Sequence, residues 1–399
     1  MSEPVRLGVA GLGRAFMLML PTLSQHPLIR LVAAADPRPE ARKRFERDFS
    51  RPGSPARPYD TVEALCADEG VEAVYVASPH QFHVEHVRIA AQHGKHVLVE
   101  KPMALTIADC QAMVAIARDA GVRLMVGHSH SFDAPYLRTV ELIKTGKFGS
   151  PRMIVAMNYT DFLYRPRRPE ELDTSQGGGV VFSQAAHQVD VVRLLAGGVA
   201  KTVRAVTGSF DPARPTEGAY QAFLTFSHGA SASLTYSGYG RYDSDENLNW
   251  VGELGQSRDP SSYGAARRNL AQLSSPEEEA ALKNTRTYGA ANAQQGTDQR
   301  PVAHNHFGHI IVSCEDGDLR PMADGVMIYA NDRRWLEPLA PPQVPRAEVV
   351  DELYAAVRNG RAPLHSGEWG TATLEVCLAI LDSARAGEEV LLQHQVAAG

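Results

Sequence analysis

Short apolar runs alternate with segments of helical periodicity through the first 126 residues, and this alternation restricts the possible folds more than any other feature. The predicted strands are Val5–Ala10, Leu31–Ala35, Val71–Ala77, Lys95–Val99 and Val122–Val126. Apolar runs separated by helices are typical of a parallel sheet that is buried on both faces. The pattern therefore predicts a doubly wound α/β domain over residues 1–127.

A glycine pair follows the first strand, and an acidic residue ends the second. Gly11-Leu12-Gly13 stands between strand and helix, and Asp36 follows the next apolar run. Glycine lets the backbone approach a pyrophosphate, a helix N-terminus attracts its charge, and a carboxylate accepts from a ribose hydroxyl. Phe16 occupies the place of the third glycine of the usual G-x-G-x-x-G pattern. We predict a Rossmann-type domain that binds NAD through Asp36, with NADP as an alternative because Arg38 is near.

The fourth strand ends in an unusual charged pair. Val97–Val99 is apolar and is followed directly by Glu100-Lys101-Pro102. Charges are costly at the end of a buried strand, and ligands bind at the carboxyl ends of strands in open α/β sheets. A lysine beside a cofactor can have its pKa lowered enough to serve as an acid or base. Lys101 is therefore a candidate catalytic residue.

Composition excludes several classes of function. The formal net charge of −6 provides no basic field for nucleic acid. The four cysteines form no C-x-x-C pair, which fits a reducing compartment. No apolar run approaches the roughly 18–20 residues of a membrane span, and the first residues do not resemble a signal peptide. We expect a cytoplasmic protein that acts on a small molecule.

Longer, alternating segments follow residue 150. They predict a large, mainly antiparallel open sheet in an α+β domain over residues 128–399. Residues 256–300 are rich in Ser, Asn, Gln and Gly and predict a long excursion or mobile loop. The helical segment 347–386 is a candidate to return to the cofactor domain. The predicted strands here are Arg152–Tyr159, Thr202–Gly208, Tyr220–Phe226, Ala230–Tyr236 and Met327–Tyr329.

A second catalytic candidate lies on a helix that Ser183 could cap and that Gly197-Gly198 would end. His187 and Asp190 are three residues apart and share a face of this helix. The carboxylate could therefore orient the imidazole. A histidine that is merely part of the helix packing is the alternative interpretation.

An arginine-rich segment predicts contacts with an anionic, planar substrate. Arg165, Arg167 and Arg168 follow Tyr164 closely, and arginine forks bind carboxylates while rings stack on planar groups. A solvated loop is the alternative. His128 and His130 follow the fifth strand, and at most one faces a cleft if strand geometry persists. His304-x-His306-x-x-His309 lacks a completing carboxylate or cysteine, so we expect no metal site.

The chain resembles the glucose–fructose oxidoreductase / inositol dehydrogenase family (Gfo/Idh/MocA-like) of two-domain NAD(P)-dependent enzymes. The resemblance implies that Lys101 binds the nicotinamide ribose and helps in proton transfer, and that His187 accepts the proton of a substrate alcohol. It implies a peptide bond before Pro102 that is often cis. The motifs that carry it are Gly11-Leu12-Gly13, Asp36, Ser78-Pro79-His80 with His83, Gly94-Lys95-His96 to Glu100-Lys101-Pro102, Gly177-Gly178-Gly179 and His187-x-x-Asp190.

The resemblance also supplies the remaining candidate residues. Ser183 stands where the family usually has an aspartate, which puts the usual Lys–Asp–His trio in doubt. The cofactor candidates are Gly11, Gly13, Arg14, Ala15, Asp36, Ser78, Pro79, His83, Glu100 and Lys101. The substrate candidates are His130, Tyr164, Arg165, Arg167, Arg168 and Ser183.

Within the family, three stretches resemble phthalate 4,5-cis-dihydrodiol dehydrogenases: Gly11–Leu20, Gly127–Asp133 and Val312–Arg320. This implies oxidation of a cyclic, anionic diol in aromatic degradation. The preferred substrate is the cis-dihydrodiol of phthalate, which would be oxidised to 4,5-dihydroxyphthalate. The alternatives are a sugar or cyclitol dehydrogenase and a non-catalytic NAD-binding sensor. Relatives are often dimers or tetramers, so a homo-oligomer is expected.

Overall fold

The computed structural model describes residues 3–290 and 301–398, which divide into two units. The first unit contains Met1–His128, Leu282–Asp298 and Val344–Thr371, and the second contains Ser129–Ala281, Gln299–Gln343 and Ala372–Gly399. Within the described ranges, no helix is long and apolar enough to cross a lipid bilayer.

A six-stranded parallel sheet forms the centre of the first unit, in the order β3-β2-β1-β4-β5-β6. Five of its strands are buried almost throughout, which explains their continuous apolar sequences, whereas the edge strand β3 is half-buried. The predicted doubly wound sheet is confirmed. The elements are β1 (Val5–Ala10), α1 (Arg14–Gln25), β2 (Ile29–Ala35), α2 (Pro39–Phe49), β3 (Arg57–Tyr59), α3 (Val62–Ala67), β4 (Ala73–Val76), α4 (His83–Gln92), β5 (His96–Val99), α5 (Ile107–Asp119) and β6 (Leu124–Val126).

Nine strands of the described chain form the sheet of the second unit, in the order β14-β13-β12-β11-β7-β10-β9-β8-β15. Strands β7 and β10 pair in parallel and the other neighbours are antiparallel, so the predicted mainly antiparallel sheet is confirmed. The elements that follow β6 are α6 (Ala134–Lys144), β7 (Pro151–Tyr159), α7 (Ala186–Ala196), β8 (Ala200–Gly208), β9 (Ala219–Phe226), β10 (Ser231–Ser237), α8 (Ala265–Leu270), α9 (Pro276–Asn284), β11 (His309–Cys314), β12 (Asp318–Met322), β13 (Gly325–Tyr329), β14 (Arg334–Pro338), α10 (Ala347–Arg358), α11 (Gly367–Ala386) and β15 (Val390–Leu391).

The predicted excursion at 256–300 is more ordered than its polar composition indicates. It contains the helices α8 and α9, and Glu279 on α9 forms a buried ion pair with Arg214, with Oε1 2.9 Å from Nη1. Composition underestimates order here because a buried ion pair with a distant residue anchors the helix. Residues 291–300 of the excursion lie outside the described residues.

The helical segment near the end of the chain is divided between the units. Residues 344–371 group with the first unit, whereas 372–399 group with the second. The sequence analysis assigned the whole of 347–386 as a candidate to return to the cofactor domain. Only its first part does so.

Candidate active site

The turn after β1 requires glycine at its first position. Gly11 has a φ of +98°, and a Cβ there would lie 2.9 Å from the carbonyl oxygen of Ala77 and 2.9 Å from the amide nitrogen of Ser78. Gly13 then precedes α1, which begins with Arg14 and Ala15. The backbone is thus open for a pyrophosphate at a helix N-terminus, as the cofactor prediction requires.

Phe16 takes the place of the third glycine because it belongs to an aromatic cluster. It is buried, and its ring meets Tyr288 edge-on with centroids 5.1 Å apart. The Tyr288 hydroxyl donates to Asp48 Oδ2 at 2.8 Å, and a Cβ at Gly289 would lie 2.7 Å from the Cα of Ala41 on α2. Large rings therefore hold α1 and α2 together in the first unit.

Asp36 ties the glycine turn to the end of β2. The amide of Leu12 donates to its Oδ2 at 2.8 Å, and Arg38 Nε donates to Oδ1 at 3.0 Å. Arg38 Nη1 also donates to the hydroxyl of Thr287 at 2.9 Å. The carboxylate is held where the dinucleotide pattern places a ribose contact, with the guanidinium of Arg38 beside it.

His83 connects the loops that follow β4 and β5. Its Nδ1 lies 3.1 Å from the carbonyl oxygen of Met103, and its Nε2 lies 3.0 Å from that of Ser78. Burial lowers the pKa of His83 to about 4, so the ring is neutral. The Ser78 hydroxyl contacts His86 Nδ1 at 2.8 Å, and Pro79 leads into a short 3₁₀ turn. His83 therefore supports the loops, and its direct cofactor contact stays a prediction.

Glu100 supports the candidate catalytic lysine from a buried position. The Tyr75 hydroxyl donates to its carboxylate, and the Lys101 amide donates to Oε2 at 3.3 Å. Burial raises the pKa of Glu100. The peptide bond between Lys101 and Pro102 is cis, as the family resemblance implies, and so is the bond between Gly127 and His128.

In the second unit, Ser183 does not cap a helix. It lies inside a π-helical segment, Val181–Ala185, that continues into α7, so the capping prediction is wrong. Single π turns are frequent at functional sites. Glu217 holds the start of this segment by accepting from the amide of Val181 at 3.2 Å and from the hydroxyl of Thr174. A Cβ at Gly179 would lie 2.0 Å from Glu217 Oε1, which explains the glycine.

Asp190 holds neighbouring segments against α7. Its Oδ2 accepts from the Ser131 hydroxyl, and its Oδ1 accepts from the Thr373 hydroxyl at 2.8 Å. The helix ends at Gly197 in the left-handed conformation, as predicted. Both oxygens of Asp190 thus accept from hydroxyl groups, and its role in orienting His187 stays a prediction.

His130 brings a carboxylate to this cluster. The chain does not continue as a strand beyond β6; His130 instead begins a 3₁₀ turn, contrary to the alternation considered above. Its Nδ1 lies 2.7 Å from Oδ2 of Asp133, and its ring centroid lies 4.9 Å from that of His187. The sequence analysis missed Asp133, although the spacing His130-x-x-Asp133 before a proline-containing helix start was a usable signal.

The three candidate arginines occupy different environments. Arg165 Nε donates to Asp161 at 2.7 Å, and its Nη1 lies 3.6 Å from Glu253. Although burial opposes them, these carboxylates raise the pKa of Arg165. The backbone amide of Arg168 donates to Glu171 Oε2 at 2.9 Å.

Arg167 is less well compensated than Arg165. Its guanidinium lies 3.5 Å from the ring centroid of Phe162 and donates to the carbonyl of that residue at 2.7 Å, while Glu171 is 3.7 Å away. Burial lowers the pKa of Arg167 to about 10. Of these two arginines, Arg167 is the one whose charge a bound anion would stabilise more.

Tyr164, His304 and His306 all have structural partners. The Tyr164 hydroxyl donates to Asp211 Oδ2 at 2.7 Å, and Arg267 lies 3.9 Å from its ring centroid. His304 Nε2 lies 2.8 Å from the carbonyl of Ala340, and His306 Nε2 donates to that of Val251 at 2.8 Å. No cluster of three or more potential metal ligands occurs among the residues that the structure describes.

Known proteins are similar to this chain in sequence and in fold. Residues 5–128 match "Oxidoreductase family, NAD-binding Rossmann fold", and residues 136–258 match "GFO/IDH/MocA C-terminal domain". A Comamonas testosteroni protein named 1-carboxy-3-chloro-3,4-dihydroxycyclohexa-1,5-diene dehydrogenase is 48% identical over 96% of this chain and 95% of its own length. These matches confirm the predicted NAD-binding domain.

Two solved structures extend the likeness. A protein from Bordetella bronchiseptica RB50, classed as a dehydrogenase, is 40% identical, with a TM-score of 0.90, over 98% of this chain and 100% of its own. The WlbA dehydrogenase from Bordetella pertussis, solved with NADH and UDP-GlcNAcA, has a TM-score of 0.66 at 23% identity. It covers 98% of this chain and 99% of its own length, and this second likeness shows the fold alone.

Proposed function

Because the chain belongs to the Gfo/Idh/MocA family of NAD-binding oxidoreductases, we propose that it oxidises a cyclohexadiene cis-diol that carries a ring carboxylate. The Comamonas relative, whose name specifies a carboxylated dihydroxycyclohexadiene, supports this substrate class. The cis-dihydrodiol of phthalate is the member of the class with two carboxylates. Oxidation of one ring carbinol gives a ketone that tautomerises to a catechol, and the gain of aromaticity drives the reaction forward.

The turn at Gly11 and the carboxylate of Asp36 fit NAD, which accepts a hydride from the carbinol carbon when bound. The protein must then remove the hydroxyl proton and orient the ring. We assign proton transfer to Lys101 and His187 and nicotinamide ribose binding to Lys101. The buried Glu100, which accepts from the Lys101 amide, keeps the backbone of that lysine in place.

One observation carries the choice of a carboxylated substrate: Arg167 is a buried guanidinium without a close carboxylate partner. Its Nη1 forms only a long ion pair with Glu171 Oε1, at 3.7 Å, while the backbone amide of Arg167 donates to Glu279 Oε1 at 2.6 Å. Arg167 lies over the ring of Phe162, whose amide donates to the Thr160 hydroxyl at 3.2 Å. That hydroxyl contacts the Tyr236 hydroxyl at 2.8 Å, and the Tyr236 ring stacks on Phe307 with centroids 6.2 Å apart.

The Phe307 ring in turn contacts the ring of His187, with centroids 5.3 Å apart. Arg167 thus lies near the aromatic cluster that contains His187. A carboxylate on a planar ring, bound beside Arg167, would provide a counter-charge closer than that of Glu171.

A panel of alcohols tests the function, with NADH formation as the readout. We expect the largest kcat/KM for cyclohexadiene cis-diols with one or two ring carboxylates, and lower values for uncarboxylated diols. A preference for inositol or glucose would favour a cyclitol or sugar dehydrogenase. Tight NADH binding without turnover of any alcohol, unaffected by Lys101→Ala, would favour a non-catalytic sensor.

The open face of the large sheet supports a homo-oligomer, either a dimer or a tetramer. Register places Val155 opposite Ser233 and Ser233 opposite Phe223, so these three side chains share one face across β7, β10 and β9. Phe223 is 48% exposed and Met153 is 50% exposed. Apolar side chains grouped on a flat face are typical of a protein interface. Light scattering of the wild type and of Phe223→Glu measures the association, which the charge is expected to weaken.

A further inference from the structure

We propose that His130 and Asp133 take part in proton transfer: the imidazoles of His130 and His187 together hold the proton that the substrate hydroxyl releases, and Asp133 stabilises its charge. The inference rests on the proposed function. Ser183 occupies the position at which the family usually has an aspartate, so that position supplies no carboxylate. The structure instead brings one from a different part of the chain.

The cluster is a continuous set of buried side chains in the second unit. The rings of His130 and His187 meet at an interplanar angle of 74°, with centroids 4.9 Å apart. The ring of Phe307 lies 5.0 Å from the first and 5.3 Å from the second. Since Phe307 and its neighbours displace water, charges interact more strongly here than at the surface.

Asp133 determines which nitrogen of His130 takes up a proton. A carboxylate only accepts, so Nδ1 of His130, 2.7 Å from Oδ2, carries the N–H, and Nε2 is the basic atom. Asp133 is the N-cap residue of α6, where the helix dipole favours negative charge. Asn305 Nδ2 donates to the other oxygen at 3.3 Å. Each oxygen of Asp133 thus has a contact, one of them with His130.

Two neighbouring imidazoles of this kind hold one proton between them rather than two, because two positive rings repel. We assign the released proton to this pair rather than to the neighbouring titratable groups. Burial lowers the pKa of His306, which keeps it neutral, and burial raises the pKa of Tyr136 and of Tyr236. The remaining charged neighbours are Glu253, whose carboxylate lies 3.6 Å from Arg165, and Asp190, which accepts two hydroxyl groups.

The proton and electron balance closes with this assignment. The carbinol C–H bond breaks and its hydride passes to NAD, which is reduced to NADH. The O–H bond breaks and its proton passes to the imidazole pair, which leaves a C=O group on the ring. The pair then releases the proton to solvent, and the next cycle begins with neutral rings.

Two conservative variants separate charge from structure. Asp133→Asn keeps the size of the side chain and an oxygen that can still accept from His130, while it removes the negative charge. His130→Gln removes the titrating ring. The matched control is His304→Gln, since His304 is a buried histidine of the same unit that bonds a backbone carbonyl. The readouts are kcat and kcat/KM against pH with a carboxylated cis-diol, and NADH affinity by fluorescence.

We expect His130→Gln to lower kcat by about 100-fold at unchanged NADH affinity. Asp133→Asn moves the acid-side inflection of kcat/KM to lower pH by about one unit, because the protonated pair loses its counter-charge. His304→Gln changes neither. An inflection that does not move in Asp133→Asn, or a loss in His130→Gln no larger than that of His304→Gln, overturns the proposal.

Histidine-selective ¹⁵N NMR of the intact protein with NADH reports the same protonation without turnover. The proposal expects one shared titration of His130 and His187 that moves to lower pH in Asp133→Asn. Two independent titrations that Asp133→Asn leaves unmoved overturn it. If the shared titration is found and no ring diol is oxidised, the proposed function fails while the proton-holding pair stands.

Discussion

The two units differ in the partners of their functional polar groups. In the first unit each key side chain has a backbone partner: Asp36 accepts from the Leu12 amide, Glu100 accepts from the Lys101 amide, and His83 lies between two carbonyl groups. In the second unit the contacts of His130 with Asp133 and of Thr373 with Asp190 join side chain to side chain. Backbone partners persist when neighbouring residues change, whereas side-chain partners must be supplied residue by residue. The first arrangement suits a common cofactor, and the second suits a particular substrate.

The largest effect is expected at the lysine of the first unit. Lys101→Ala should lower kcat by about 10²–10⁴-fold, because a positioned proton-transfer group is lost. The matched control is Lys95→Ala, which precedes the same strand and whose ammonium donates to the carbonyls of Asp68 and Val71. NADH formation measures both variants. Equal losses would show that Lys101 acts only through stability.

His83 tests whether the first unit is a rigid, uncharged frame. Its pKa in the fold is about 4, below the ordinary value of 6.5, so the unfolded chain binds more protons between these values. Stability from this group is complete above about pH 6.5 and falls as the pH approaches 4, by up to about 3 kcal/mol. Urea unfolding against pH measures it. His83→Gln should remove this pH dependence, and His93→Gln, which contacts Glu63 at the surface, should keep it.

The two glycines of the cofactor turn provide a smaller and cleaner contrast. Gly11→Ala introduces a Cβ 2.9 Å from backbone atoms at a φ of +98°, at a cost of about 1–3 kcal/mol. Gly13→Ala meets nothing within 4 Å. NADH affinity should therefore fall about tenfold or more in the first variant and little in the second. Equal affinities would mean that the turn does not approach the cofactor.

Sequence predicts the first unit well for the same reason that its contacts are with backbone. The strand ends, the glycine turn and Asp36 lie close together along the chain and follow general rules of α/β sheets. The second unit depends on contacts between distant segments. Arg165 has a local partner, Asp161, and a distant one, Glu253, and no local pattern predicts the second pairing. Ordinary helical periodicity also does not predict the π-helical turn around Ser183.

The polar composition of residues 256–300 predicts a loop, and the reason that the segment is more ordered is related. Contacts with distant side chains, such as Glu279 with Arg214 and Tyr288 with Asp48, order a segment whose composition resembles a loop. His130 is predicted from the sequence as a substrate contact, whereas its carboxylate partner Asp133, three residues further on, is a local signal that the prediction did not use. In both cases the decisive neighbour is a charged side chain.

The most direct measurement of the central claim is the ratio of kcat/KM for a carboxylated cyclohexadiene cis-diol to that for its methyl ester, in the wild type and in Arg167→Met. The account predicts a ratio of about 10 or more in the wild type, since a charge-assisted hydrogen bond contributes about 1.5–3 kcal/mol. The ratio should approach one in Arg167→Met and stay high in Arg168→Met. A wild-type ratio near one, or a ratio that Arg167→Met leaves unchanged, would contradict the account.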